Sequence, residues 1–419
     1  MSARLPGRTL RLSSARARRG QRMDGEADPV ASDIVGAVVI GGDYQGLGIV
    51  RSLGRLGVPV CVVDDEYSIA RFSRHIEQSV RVADLRGDRQ TVEALLGVGR
   101  HLGLKGWVLF PTRDETVAAL SRHRDLLSEF FRVPTPGWNV VRWAWDKRNT
   151  YRLATELGIP TPRTWYPRNL YELRAIDADL PLVLKPAIKE DFLYATKDKA
   201  WRADTRRELE RLFTTASRII EPSELMIQEL IPGSGRDQLA YCAFFKGGRA
   251  VGQLVARRGR QHPPEFGRSS TFVETVDVPE LETLSERFLR AIDYYGLVEL
   301  EYKRDADDGR FKLLDVNART WGYHSIGPRS GVDFSAMLFA DQLGRPVHTC
   351  RAQVGVRWVR LTTDLPTAAV MLFQGQLDWR SYMRSLRGFD VEGTFARDDP
   401  LPGLAELMLI PYLALKRGF

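Results

Sequence analysis

Apolar and polar positions alternate most regularly between Gly296 and Gly322. Val298, Leu300 and Tyr302 stand against Glu299, Glu301 and Lys303. A period of two predicts a strand with one polar face. DADDG (305–309) then breaks the alternation, and its Asp-Gly pair predicts a hairpin turn. The second strand is FKLLDVN (311–317), where Asp315 and Asn317 share a face and Leu313, Leu314 and Val316 give it a buried character. A hairpin folded about Asp307 or Asp308 sets Glu301 directly opposite Asp315 or one diagonal step away, about 5–8 Å between side chains. Two carboxylates and an amide oxygen then converge, and like charges brought together call for a cation between them; a solvated polar face is the competing reading, weakened by the strand's buried character. Hard oxygen donors of this kind suit Mg²⁺ or Mn²⁺, whose remaining positions go to phosphate and water.

Elsewhere the pattern predicts a mixed α/β chain. GAVVIGGDYQGLGIVRSLGRLGVPVCVVDDE (36–66) reads as strand, glycine turn, helix, strand. Gly41, Gly42, Gly46 and Gly48 do not have the GxGxxG dinucleotide spacing, so close helix–sheet packing competes with a ligand role. A third strand, GWVLFP (106–111), runs into Thr112, Arg113 and Asp114, polar residues placed to line a crevice, with helix capping the other role for Asp114. Asp146 caps a helix that Gly158 and Pro160 end, and Lys147 opens it, a poor place for a cation unless an anion shares the site. PLVLKPA (181–187) is an apolar strand stopping at Lys185, and MIQELIPG (226–233) is another, running into a turn. LAYCAFFKGGRAVGQLVARRGR (239–260) reads as a hairpin about Gly247-Gly248, and RRGRQHPPEFGRSST (257–271) as a mobile basic surface loop. An amphipathic helix from Leu281 leads back to the first hairpin.

Composition sets the limits. The chain has 419 residues, 43% hydrophobic and 27% charged, enough for two to four domains. Cys61, Cys242 and Cys350 fit no disulfide or metal framework, which points to a reducing, cytoplasmic compartment. No apolar run is long enough to span a bilayer. The formal charge is +8, but Arg4, Arg8, Arg11, Arg16, Arg18, Arg19 and Arg22 supply seven of it, leaving about +1 for the rest. A near-neutral body argues against nucleic acid as partner. Residues 1–32 are read as a disordered basic extension, with a transit peptide the competing role and Met23 an alternative start.

The ordered set of motifs resembles the ATP-grasp superfamily of ATP-dependent carboxylate–amine ligases: a glycine-rich βαβ unit, DK before a helix ending GIPTP, VLKP, QELIPG, a strand carrying Glu301, and DVNAR, together covering about residues 34–345. The resemblance implies an α/β and α+β chain with a Rossmann-like domain at 33–140, a small lobe or lid at 141–225, a large lobe at 226–345 and a C-terminal extension at 346–419. It implies ATP and Mg²⁺ (or Mn²⁺) as cofactors and small-molecule carboxylate and amine substrates; a homo-oligomer is also expected. Residue by residue, it gives Lys147 and Lys185 to the phosphates and Gln228, Glu229, Leu230 and Ile231 to the strand beside the adenine. Asp237 goes to the ribose, Glu301, Asp315 and Asn317 to the metal, and Arg319, with Lys185, to the transferring phosphate. The family's glycine-rich phosphate loop is absent; AIKEDFLYATKDK stands there, with Lys199 or backbone amides as its replacement. Arg257, Arg258, Arg260, His262 and Arg268 are candidates to bind a carboxylate or acyl phosphate, with a solvated loop charge the competing reading for each. A non-catalytic ATP-binding module of the same fold is the alternative. The apolar tail AELMLIPYLALKRGF (405–419) reads first as packing on the body, with contact to a membrane surface second.

Overall fold

The computed structural model describes residues 34–417, with side chains to 412, so the basic extension expected at 1–32 lies outside the described residues. Three sheets organise the chain. The first is parallel, in the order β3-β2-β1-β4, from β1 (Ala37–Ile40), β2 (Val60–Asp64), β3 (Gln78–Arg81) and β4 (Val108–Pro111). Strand β3 was not foreseen; with one buried residue in four it carries too little apolar pattern, and the strand read as third is the fourth. The second sheet has four strands in the order β5-β8-β6-β7: β5 (Thr164–Trp165), β6 (Leu182–Pro186), β7 (Trp201–Ala203) and β8 (Leu225–Glu229).

The third sheet has eight strands, β13-β12-β9-β10-β11-β15-β16 with β14 on β10. They are β9 (Gln238–Lys246), β10 (Arg249–His262), β11 (Ser269–Val276), β12 (Gly296–Arg304), β13 (Phe311–Asn317), β14 (Cys350–Arg351), β15 (Arg357–Val359) and β16 (Val391–Glu392). The last three come from the C-terminal extension, which is therefore built into this sheet rather than appended to it. Period two buries both faces of the sheet. On β9, Ala240, Cys242 and Phe244 join a core with Val39, Val62 and Leu47 of the first unit, while Leu239, Tyr241, Ala243 and Phe245 pack under the helix Pro279–Ala291. One layer of side chains thus cements the parallel sheet to the large one, and the edge hairpin β12–β13 lies between them and the small sheet.

The expectation of a loop at 257–271 holds for 263–268 and is corrected for the residues on either side. Strand β10 continues through Arg257, Arg258 and Arg260 to His262, paired with β11, with bulges around Arg260. Pairing with β11 overrides a composition rich in Arg, Gly and Pro. Arg260 is also reassigned: Nε and Nη2 lie 2.8 Å from the carboxylate of Asp364, both side chains are buried, and it serves the core rather than a substrate. Arg257 is exposed on the strand. The first unit's glycines serve packing. Gly41 holds φ +93°, and a Cβ on Gly48 would meet His324 at 2.6 Å. Asp64, which could have bound a ribose, instead accepts from the Gly42 amide (2.6 Å) and from Arg113 (2.7 Å).

The C-terminal segment closes back on the first unit. Arg51 bonds Asp399 at 3.0 Å with both side chains buried. The helix Leu401–Arg417 buries Ala405 and Glu406 and exposes Leu404, Leu407 and Met408. Among the described residues no helix is long and apolar enough to cross a membrane.

Candidate active site

The edge hairpin forms as its alternation predicted. Glu301 lies opposite Asp315 and Glu299 opposite Asn317, so four polar side chains share one face. The register shifts between Glu301 and Tyr302, leaving Leu314 as the extra residue of a bulge. Its carbonyl accepts from the Tyr151 hydroxyl (2.9 Å), which in turn accepts from Lys185 Nζ (2.8 Å). The bulge therefore helps to fix where Lys185 points.

Cations from three directions meet this face. Lys147 Nζ is 3.0 Å from Asp315, supplying the anion that a lysine at a helix start requires. Asp146 caps that helix (Lys147–Glu156) through the Arg148 amide at 2.9 Å, and the Lys147 amide donates to Ala187 at the end of β6. Arg258 reaches Glu301 at 3.2 Å from β10. Asn317 Nδ2 donates to Glu299 (3.0 Å) and Glu301 (3.1 Å), while its Oδ1 accepts from Arg319 (3.3 Å) and Lys189 (3.4 Å). Burial alone would raise the Glu301 carboxyl, but Arg258, then Lys199 and Lys189, bring it down to about 2. Burial, with Glu301 as neighbour, pushes Glu299 up to about 7. Lys199 is held below the usual lysine range by burial, against the pull of Glu301.

The donor set fits a hard divalent cation completed by phosphate. Glu301 and Asp315 offer carboxylate oxygens on one face with the Asn317 amide beside them, its Oδ1 turned to Arg319 and Lys189, and among the described residues no group of three His, Cys, Asp or Glu side chains makes a cage by itself. Mg²⁺ is ordinarily held in this way, by one or two carboxylates plus substrate phosphates and water.

Beside the hairpin, a cavity of about 620 Å³ opens between the small and large sheets. Its walls include Lys185, Gln228, Glu229, Leu230 and Ile231, as the sequence placed them, and also Gln238. Asp237 Oδ2 accepts from the Ser234 amide (2.6 Å) and hydroxyl (2.9 Å), capping its own short turn beside the cavity, and its neighbour Gln238 stands on the cavity wall. Gln238 has a buried Oε1 that lacks a hydrogen-bond partner among the described residues. Lys303 Nζ donates to the Ile231 carbonyl at 2.7 Å and ties this turn to β12.

On the other side of the hairpin lies a second cavity, of about 320 Å³. Arg319 forms a two-pronged pair with Asp114 (2.9 and 3.0 Å), and Lys189 bonds the same carboxylate. Burial would raise Asp114, but Arg319 and Lys189 hold it well below the carboxylate range. Of the two roles read for Asp114, the structure favours the crevice: Arg113 is the N-cap of the helix Asp114–Arg122, and the Asp114 carboxylate is taken by Arg319 and Lys189 instead of capping. The segment that replaces the glycine-rich loop is a short helix, Glu190–Thr196, latched to the first unit by Tyr194 donating to Glu115, with Arg86 4.1 Å over the Tyr194 ring. His262 and Arg268 line this cavity, and Arg258 lies at the carboxylates. Sequence reasoning left Glu299, Lys189, Glu190 and Gln238 unassigned. Only Glu299 carried a local signal, sharing its strand parity with Glu301.

The state of Lys185 gives a pH-dependent expectation. Burial lowers it to about 8, against the pull of Asp315 and Glu301. A phosphate beside it favours the charged form, so its value rises on binding. Below about pH 8 the lysine is charged in both states and binding is insensitive to it. Above that, binding must take up a proton, and Kd for MgATP weakens by up to about tenfold per pH unit. Calorimetric titration near pH 9 in buffers of different ionisation enthalpy should record the uptake. Its absence, or its persistence in Lys185→Arg, would remove Lys185 from the phosphates.

No family model matches the chain. It is 22% identical over 323 residues, 73% of its length and 76% of the relative's, to a D-aspartate ligase of Enterococcus faecium (strain Aus0004). Among solved structures it is similar to an L-amino acid ligase from Bacillus licheniformis, with 16% identity, 74% of each chain covered and a TM-score of 0.57. It is similar also to the MgADP-bound biotin carboxylase domain of Hydrogenobacter thermophilus 2-oxoglutarate carboxylase, with 14% identity, 78% and 74% covered and a TM-score of 0.61.

Proposed function

We propose, starting from the ATP-grasp fold that this chain shares with those structures, that the protein is an ATP-dependent ligase joining a carboxylate to an amine. The observation that carries this reading is the placement of Glu301 opposite Asp315 between two cavities, one bounded by Lys185 and the β8 strand, the other by Arg319. A nucleotide in the first cavity points its phosphates at the hairpin, and a carboxylate in the second meets them there.

The chemistry divides accordingly. A carboxylate is a poor electrophile, and taking the γ-phosphoryl of ATP turns it into an acyl phosphate that an amine can attack. Mg²⁺, when bound by Glu301, Asp315 and Asn317, supplies charge neutralisation to the terminal phosphates. Lys147 and Lys185 hold phosphate oxygens, and Lys199 is the further cation directed at them. Gln228 to Ile231 seat the base, and Gln238 takes the place given to Asp237 beside the sugar. Arg319, anchored by Asp114, faces the group being transferred; positioning and electrostatics account for most of such catalysis. The Tyr194–Glu115 latch closes the small lobe over the site and keeps water from the acyl phosphate.

The likeness to a D-aspartate ligase and an L-amino acid ligase makes an amino acid our choice for the carboxylate substrate. Three free cysteines agree with a cytoplasmic setting. A non-catalytic module has no use for a buried Arg319–Asp114–Lys189 cluster facing a second cavity. The test is to incubate the protein with MgATP, hydroxylamine and a panel of protein amino acids and D-aspartate. Hydroxamate with stoichiometric ADP is the expected result; AMP and pyrophosphate would contradict it.

A further inference from the structure

The cavity beside Arg319 is rich in carboxylates, and nearly all are engaged. Asp114 is held by Arg319 and Lys189. Glu115 accepts from Tyr194, and Asp43 accepts from the Gln45 amide (3.0 Å). Glu190 differs. It lines both this cavity and the small enclosed space shared by Lys147, Asp315 and Lys189. Its Oε2 is buried and has no hydrogen-bond partner among the described residues. A buried carboxylate oxygen without a donor is costly and therefore unusual. It is the site in this cavity that an N–H donor from a substrate would satisfy.

Resting on the ligase reading above, we propose that Glu190 is the catalytic base that binds the substrate ammonium and takes its proton before the amine attacks. In this step an N–H proton of R–NH₃⁺ passes to the Glu190 carboxylate. The freed nitrogen lone pair forms the C–N bond to the acyl carbon. The acyl C–O bond to phosphorus breaks, its electron pair leaves with phosphate, and phosphate takes the second nitrogen proton. Glu190 returns its proton to solvent when the lobe opens.

The surroundings suit a base. Lys189 adjoins Glu190 on the same segment; Asp114 and Glu115 face it from the first unit, and Lys147 and Asp315 from across the enclosed space. Burial raises its carboxyl to about 7, and Asp114 adds to this against the opposing pull of Lys189. A base poised there can accept a proton at neutral pH and release it again. Glu190 rides on the small lobe, whereas Arg319 and Asp114 sit on the large lobe and the first unit. The base therefore meets the acyl phosphate only when the lobes are closed, which delays activation of the amine until the electrophile is shielded.

The test uses two nucleophiles on the full chain, with an amino acid that wild type activates. Hydroxylamine is largely unprotonated at neutral pH and needs no base; ammonium chloride presents a protonated nitrogen small enough for any amine site. Wild type should yield hydroxamate from one and amide from the other. Glu190→Gln should lower amide formation by about 10²-fold or more while acyl transfer to hydroxylamine persists, and Glu190→Asp should recover part of the loss. Because the replaced oxygen has no partner, Tm of Glu190→Gln should not fall. An equal loss with both nucleophiles, no loss with either, or a wild type that forms hydroxamate but no amide would each overturn the proposal. A wild type forming no hydroxamate with ADP would instead sink the ligase reading, and this proposal with it.

Discussion

Asp315→Asn is expected to lose about 10²–10³-fold in ADP release at limiting Mg²⁺, a scale set by removal of one directed electrostatic contact in a closed site. It should recover partly as Mg²⁺ is raised, because one of two carboxylates remains for the cation. Lys147, largely buried 3.0 Å from Asp315, loses its ion-pair partner, so urea stability should fall as well. Glu301→Gln should act in the same direction. Arg258 stands 3.2 Å from Glu301 with little exposure, and losing that carboxylate leaves a buried guanidinium facing only Glu299. Breaking a buried pair from one side typically costs about 3–5 kcal/mol, so this variant should lose urea stability as well as activity. Urea melts and ADP release across a range of free Mg²⁺ measure both. An Asp315→Asn protein with normal turnover at low Mg²⁺ would show that the hairpin does not hold the metal.

The hairpin was legible because everything that fixes it is local: period-two alternation, an Asp-Gly turn, and a parity rule that puts Glu301 and Asp315 on one face. The same holds for Asp146 as a cap and Gly158 (φ +65°) as a stop. What the sequence hid depends on partners far along the chain. Arg260 reads as a solvated loop charge until Asp364, 104 residues on, is folded against it. Arg258 reads alike and lies two residues away, yet the bulged strand brings it to Glu301. The resemblance gives Asp237 to the ribose, while in the fold the turn from Ser234 uses its carboxylate and Gln238 stands on the cavity wall. Glu190 gave no signal, since only burial without a partner marks it out.

The site charges that the sequence hid share one physical cause. The site is assembled from three units, and each contributes charges that its own sequence cannot neutralise: Asp114 from the first, Lys185, Lys189 and Glu190 from the second, Glu301, Asp315 and Arg319 from the third. Lys189 touches both Asp114 and Asn317, and so links all three. Charge balance is reached only with the three units together, and moving the small unit away from the first would separate Lys189 from Asp114.

Arg319→Ala tests the centre of that network. Arg319 donates to Asp114 through Nε and Nη2 and to Asn317 through Nη2, so its plane is fixed before any substrate arrives. A preorganised guanidinium acts mainly on charge that develops during transfer, so its loss should appear in the chemical step rather than in binding. Hydroxamate formation should fall by about 10²–10³-fold, with Kd for MgATP within about threefold of wild type, since the nucleotide cavity is walled by Lys185 and Gln228 to Ile231 instead. Arg319→Lys should rescue little, because a single ammonium cannot keep the two-pronged contact with Asp114. Asp114→Asn should be milder than Arg319→Ala: the cation stays, and its orientation is set by Asn317 and the Thr320 carbonyl without the two-pronged ion pair. Tm should fall for Arg319→Ala, as Asp114 keeps Lys189 alone against the cost of its burial. If Arg319→Ala loses MgATP affinity while single-turnover hydroxamate formation at saturating ATP is unchanged, Arg319 is a ground-state phosphate ligand and takes no part in stabilising transfer.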